Sequence, residues 1–252
     1  MNIQKKHYDK MISKYDMHYN DKYSNIYREC MINEPLLNNI NLDNMKVLEG
    51  MCGSGSILTK YLIDNNAIVT GLDISSDCIK KYKSNWKNVK TIWEDITNTN
   101  ILNDTYDMII IIGGLHHAHP NLNKTMDEIY RILKPNGILC FMEIHDKSII
   151  NIIRNIWYKF DNYIANNEKA IDIDKLYKNN KHRFKHIKIQ YTGSLGYLFV
   201  LQSMLFRIPI RFKKYYSPLL IKFDKITQKY QNKYTSGFVL CSWRKKNIIR
   251  LY

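Results

Sequence analysis

Lys46-Val47-Leu48-Glu49-Gly50-Met51-Cys52-Gly53-Ser54-Gly55 is the stretch that decides the architecture. Val47 and Leu48 read as the end of a buried strand, and the glycines that follow let the backbone approach a ligand with no Cβ in the way. Ser56 to Ile63 then continues with helical apolar spacing, so strand, glycine turn and helix succeed one another within twenty residues. Such a turn aims the free N–H groups of the helix start at a ligand, which points to a nucleotide-like molecule. Phosphate-binding variants of the turn are weakened by what is missing. The dinucleotide form needs Gly or Ala three residues after its last turn glycine, where Leu58 stands, and no Gly-Lys-Ser/Thr sequence occurs anywhere. The acidic residue ahead of the turn, Glu49, suits an ammonium group better than a phosphate.

Further segments repeat the strand-then-loop pattern downstream. Ala67-Ile68-Val69-Thr70-Gly71-Leu72-Asp73-Ile74 is an apolar strand ending in a carboxylate eighteen residues past Gly55, a position from which Asp73 can accept hydrogen bonds from a ribose. Val89 to Trp93 leads into Glu94-Asp95-Ile96. Tyr106 to Ile112 is a wholly apolar strand opening into Gly113-Gly114-Leu115-His116-His117, and Arg131 to Leu139 reads as a helix end turning into a fifth strand. Helices are expected from Ser75 or Ser76 through Tyr82 and from Leu122 to Leu133. The βαβ rhythm requires a parallel sheet with helices on both faces.

Taken together, these segments resemble the class I S-adenosylmethionine-dependent methyltransferases over roughly residues 40 to 145. The resemblance implies an α/β fold: a Rossmann-like, seven-stranded, mostly parallel sheet with an N-terminal helical lid and a C-terminal helical insertion. It also implies S-adenosyl-L-methionine as cofactor, S-adenosyl-L-homocysteine as product and no metal. Glu49, Gly53 and Gly55 match the family's first motif, while Met51 takes the place of its first glycine and Gly50 stands one residue early. The turn is therefore expected to be differently shaped or more crowded near the amino-acid end of the cofactor. By the same resemblance Asp73 and Ile74 would serve the ribose, Asp95 and Ile96 the adenine, and Gly113 and Leu115 the loop beside the methyl group. Tyr8-Asp9 and Tyr15-Asp16 look like the family's lid, with Tyr15 at the cofactor.

Length and composition, 252 residues of which 45% are hydrophobic, suit one domain: a lid over 1–40, a cofactor core over 41–145 and substrate-side helices with the last two strands over 146–252. Those strands are expected at His186 to Tyr191 and Gly237 to Trp243. The net charge of +15 suits nucleic acid, an anionic membrane surface or an acidic substrate, or reflects lysines spread over solvated faces. Five isolated cysteines argue against a disulfide framework and a structural zinc. The polar, charged start of the chain carries no secretory leader, so a cytoplasmic location is expected.

For chemistry, a sulfonium methyl needs an aligned nucleophile and, for a hydroxyl acceptor, a base. His116 and His117, after the fourth strand, are the candidate catalytic bases, with His119 and His145 as further options. The motifs that grip a planar amino group or supply a cysteine nucleophile are missing, so the expected acceptor is a small molecule, most simply a hydroxyl of a sugar, lipid-linked or secondary-metabolite compound. An RNA acceptor and a non-catalytic cofactor-binding role are the alternatives; Lys181 to Lys188 is the one basic cluster that would serve nucleic acid. Leu195 to Phe206, apolar on every face, is expected either to be buried or to line an apolar pocket. Followed by Arg211, Lys213 and Lys214, it could instead make a peripheral membrane contact.

Overall fold

The computed structural model describes residues 19–158, 170–203, 206 and 208–247. Seven strands form one sheet: β1 (Lys46–Gly50), β2 (Ile68–Asp73), β3 (Lys90–Trp93), β4 (Tyr106–Ile112), β5 (Leu133–Glu143), β6 (Phe184–Thr192) and β7 (Phe238–Lys245). Their order is β3-β2-β1-β4-β5-β7-β6. The first five run parallel, and β7 inserts antiparallel between β5 and β6.

Period-two alternation explains why the central strands read as unbroken apolar runs. In β4, Met108 and Ile110 enter the core on one side of the sheet, and Ile109 and Ile111 enter the core on the other. β7 splits the same way, Phe238 and Leu240 against Val239, Cys241 and Trp243. A one-residue slip in register would exchange the two sets, so sidedness fixes the pairing.

The helices are α1 (Lys22–Arg28), α2 (Glu34–Leu37), α3 (Ile57–Asp64), α4 (Ser76–Asn85), α5 (Leu122–Ile132), α6 (Ile149–Tyr158), α7 (Ile173–Asn180) and α8 (Lys213–Thr227). Serines start α3 and α4 as the sequence predicts. Ser56 Oγ accepts the Leu58 N–H at 3.2 Å while Thr59 Oγ1 accepts the Ser56 N–H at 3.1 Å, and Ser75 Oγ accepts the Cys78 N–H at 3.2 Å. α5 ends at Ile132 and β5 begins at the next residue.

Two expectations for the C-terminal part need correction. Leu195 to Phe206 is not one helix but a single widened turn, Tyr197–Leu201, folded into the core beneath β7. Lys213 does not face a membrane. It is 0% exposed and donates to Asp21 at 2.5 Å and Ser24 Oγ at 2.9 Å, because it lies on the face of α8 that packs against α1. The same two helices are joined by the Tyr27 hydroxyl, which donates to Asp224 at 2.7 Å. Among the described residues, no helix is long and apolar enough to cross a membrane.

Candidate functional site

The strand order reverses between β1 and β4, and a crevice opens outside their carboxyl ends, the place where open α/β sheets bind ligands. It holds a cavity of about 470 Å³, within the usual range for small-molecule and cofactor sites. Glu49, Gly50, Met51, Gly53 and Gly55 line it from the first turn, Asp73 and Ile74 from the end of β2, and Asp95 and Ile96 from beyond β3. Gly113 and His117 line it from the loop after β4.

The turn is built by backbone conformation as much as by side chains. Gly53 and Gly113 have φ of 56° and 64°, and a Cβ on either would meet nothing within 4 Å, so both face open space. Gly55, at φ 79°, has the opposite surroundings: a Cβ there would stand 2.3 Å from Trp86 Nε1. Met51 keeps the left-handed conformation, φ 53°, that a glycine would adopt freely. Its side chain is accommodated at Gly114, where a Cβ would lie 3.0 Å from both Met51 Cβ and Met51 Sδ. The predicted crowding is therefore taken up across the crevice, by a glycine that the sequence reading left without a role.

Three carboxylates wall the cavity. Asp73 is held by two backbone donors, Gly53 N–H to Oδ2 at 2.9 Å and Ser75 N–H to Oδ1 at 2.8 Å, so the end of β2 and the glycine turn are locked together. Asp95 Oδ1 accepts the Thr97 N–H at 2.9 Å. Glu49, 4% exposed, accepts both the Thr59 and the Tyr82 hydroxyl on Oε2, each at 2.8 Å. Burial nonetheless pushes its carboxyl up to about 7, with the two hydroxyls acting in the opposite direction. Arg28 is the only Lys or Arg among the described lining residues, so the cavity favours a cationic ligand and disfavours a pyrophosphate.

Some sequence-predicted residues stand elsewhere. Leu115 does not line the cavity: its side chain is in the core, and its N–H donates to Glu143 Oε1 at 2.6 Å. His116 is also withdrawn, with Nδ1 2.8 Å from Glu143 Oε2 and its ring stacked at 3.9 Å on His117. Of the two histidines, His117 lines the cavity and His116 does not. His119 lines it as well, whereas His145 is buried away from it with Nε2 3.0 Å from Ser236 Oγ. Tyr15, with the other predicted lid residues Tyr8, Asp9 and Asp16, lies outside the described residues.

Glu143 was not foreseen. It is fully buried at the end of β5, and burial pushes its carboxyl up to about 7 against the opposing influence of His117 and the backbone donors of the β4 loop. The visible sign in the sequence is an acid closing an otherwise apolar strand, Ile138 to Glu143. The wall formed by Tyr19, Asn20, Arg28 and Asn33 was equally hidden, because it comes from helices packed across the crevice. Asn33 Nδ2 is buried there without a hydrogen-bond partner.

A family model described as "Methyltransferase domain" matches residues 47–137. An uncharacterised protein of Methanocaldococcus jannaschii is 33% identical over 153 residues, 60% of this chain and 56% of that protein. A phthiotriol/phenolphthiotriol dimycocerosates methyltransferase of Mycobacterium leprae is 29% identical over 110 residues, 42% of this chain and 40% of that enzyme. The chain thus spans about half the length of these relatives. Among solved structures, a methyltransferase from Thermotoga maritima whose description names S-adenosylmethionine superposes with a TM-score of 0.62 at 11% identity, covering 96% of this chain and 99% of that one. The glycine turn and the acid-walled crevice lie inside the matched segment, and the sheet order around them is that of the fold. The chain belongs to the class I S-adenosylmethionine-dependent methyltransferase superfamily.

Proposed function

We propose that the protein transfers a methyl group from S-adenosylmethionine to a small-molecule hydroxyl, the acceptor being a sugar, lipid-linked or secondary-metabolite compound. The observation that carries the reading is the acid-walled cavity over a left-handed glycine turn, which suits a cationic cofactor bearing a diol. When bound, the cofactor supplies a methyl already activated by its sulfonium charge. Asp73 would accept the ribose hydroxyls, Asp95 and Ile96 would hold the adenine, and Glu49 would face the ammonium group. Arg28 and the unpaired Asn33 amide suit the carboxylate of the same molecule.

His117 is the residue best placed to take a proton from an acceptor hydroxyl, since it reaches the cavity from the loop after β4. His116, tied to Glu143, is a positioning residue that fixes the loop and the neighbouring ring. The Mycobacterium leprae relative, named for phthiotriol and phenolphthiotriol dimycocerosates, fits an alcohol acceptor.

Titration calorimetry with S-adenosylmethionine and S-adenosylhomocysteine tests the cofactor roles. Asp73→Ala should weaken both by about tenfold or more, as expected for losing a charged acceptor, and unchanged affinity would remove Asp73 from the ribose site. His117→Ala should retain cofactor affinity and lose the basic limb of turnover against pH. A variant that turns over a hydroxyl acceptor at the wild-type rate sinks the histidine mechanism.

A further inference from the structure

Residues 211 to 234 repeat a cation followed by an aromatic ring five times: Arg211-Phe212, Lys214-Tyr215, Lys222-Phe223, Lys229-Tyr230 and Lys233-Tyr234. In four of these pairs the cation stands over its neighbour's ring, at 5.0, 4.8, 4.9 and 5.5 Å. The segment is built on α8, whose inward face is accounted for: Lys213, Ser217, Ile221 and Asp224 are buried against the body.

The outward face divides into two stripes. With about 100° between successive helical residues, Tyr215, Leu219, Phe223 and Ile226 fall within an arc of about 80°, and all four are exposed, Tyr215 by 73% and Leu219 by 70%. Lys214, Lys222 and Lys225 fall in the adjoining arc and are also exposed. The single carboxylate of α8, Asp224, is turned inward onto Tyr27, so no acid offsets the cations on this face.

We propose that this face of α8 docks the protein on an anionic lipid surface, lying in the plane of the interface with the apolar stripe at the acyl boundary and the lysines among the headgroups. The segregation carries the assignment. A contiguous apolar stripe bordered by cations matches the two layers of a bilayer surface, and tyrosine is suited to the boundary between them. Nucleic acid shares the charge requirement but stacks its bases on rings, and the middle of this stripe is aliphatic, at Leu219 and Ile226. α8 also grips α1 through Asp21 and Tyr27, and Arg28 of α1 lines the cavity, so the docked face backs the element that walls the site. The surface stands independently of which acceptor is methylated.

Co-sedimentation of the full chain with vesicles tests it, using equimolar phosphatidylglycerol and phosphatidylcholine against phosphatidylcholine alone. Affinity for the anionic vesicles should exceed that for the neutral ones by about tenfold or more and fall with added salt. The pair Leu219→Asp and Ile226→Asp should abolish binding, and Lys222→Gln with Lys225→Gln should weaken it by about tenfold. Lys83→Gln with Lys87→Gln, on the exposed side of α4 and the turn after it, should change it less than twofold or so by the same reasoning. Thermal unfolding reports whether each variant is folded, and the lysine pairs decide the matter if the aspartates disturb the helix. Equal losses from both lysine pairs would mean diffuse charge and overturn the proposal. Tyr215→Leu with Phe223→Leu should keep vesicle binding. If it loses that binding while also losing single-stranded RNA measured in parallel, the face reads nucleic acid and the lipid assignment fails.

Discussion

Met51 and Gly114 form the pair on which the shape of the glycine turn depends. Met51 accepts a left-handed backbone, at a cost of about 1–2 kcal/mol for an L residue, and its side chain occupies the space that Gly114 leaves empty. Gly114→Ala should therefore destabilise the protein by about 1–3 kcal/mol through overpacking, and Met51→Gly should recover part of that loss when combined with it. Ile111 also presses on the position, so recovery stays incomplete. A double-mutant cycle by denaturant unfolding checks the coupling, and strict additivity would show that the two residues do not share the space. Glu49 carries a second prediction at this scale. Its folded carboxyl titrates near 7, above its usual 4.5, so the native chain holds a proton that the unfolded chain has released between those values. Stability from this group is present below that window and is lost as pH rises through it, at up to roughly 1.4 kcal/mol per pH unit. Glu49→Gln should flatten the fall in melting temperature between pH 5 and pH 7.5, taken as about the limits of the window. A cationic ligand at Glu49 would draw the proton off, so cofactor binding below pH 7 or so should release protons, read as a buffer-dependent enthalpy in calorimetry.

Elements differ in how much of their fate is local. α3 and α4 announce themselves through Ser56 and Ser75, because a cap is a bond between residues two or three apart, and β4 does so through its alternating sides. Leu195 to Phe206 is different. It is apolar on every face, a pattern shared by a buried helix and by a turn folded into a core, and only packing against Phe238 and α8 decides between them. Lys213 fails to declare itself for the same reason: a lysine in a basic run looks solvated until Asp21, 192 residues away in sequence, is brought against it. That ion pair joins α1 to α8 with Lys213 fully buried and Asp21 nearly so. Asp21→Ala removes the counter-charge and the cap of α1 together, and should cost about 3–5 kcal/mol, whereas Lys213→Met should cost much less because no orphaned charge is left inside. A chemical denaturation series on both variants checks the order, and a more damaging Lys213→Met would show that the lysine is held for its charge.

At the scale of the whole molecule, most of the cavity wall was readable because the parallel sheet delivers successive loops to one edge in chain order. Glu49, Asp73, Asp95 and His117 come from the ends of different strands, and each follows an apolar run that identifies it. The remaining wall, Arg28 and Asn33, comes from helices whose place over the crevice is set by contacts with α3 and α8, which no local pattern encodes. Closing the cavity therefore joins the N-terminal and C-terminal parts of the chain, and a ligand that fills it should stabilise the molecule as a unit. At a cofactor concentration of about a hundred times Kd the gain is about 2.7 kcal/mol, which for a chain of this length raises Tm by about 5–10 °C. S-adenosylmethionine and S-adenosylhomocysteine should both produce this shift in a thermal scan. NAD and ATP should not, because Glu49, Asp73 and Asp95 oppose their phosphates. Asn33→Ala, which removes a buried donor left unpaired without ligand, should leave the Tm of the free protein little changed and reduce the shift. A shift with NAD and none with S-adenosylhomocysteine would invert the electrostatic reading of the crevice, and an undiminished shift in Asn33→Ala would place the amino-acid end of the ligand away from α1.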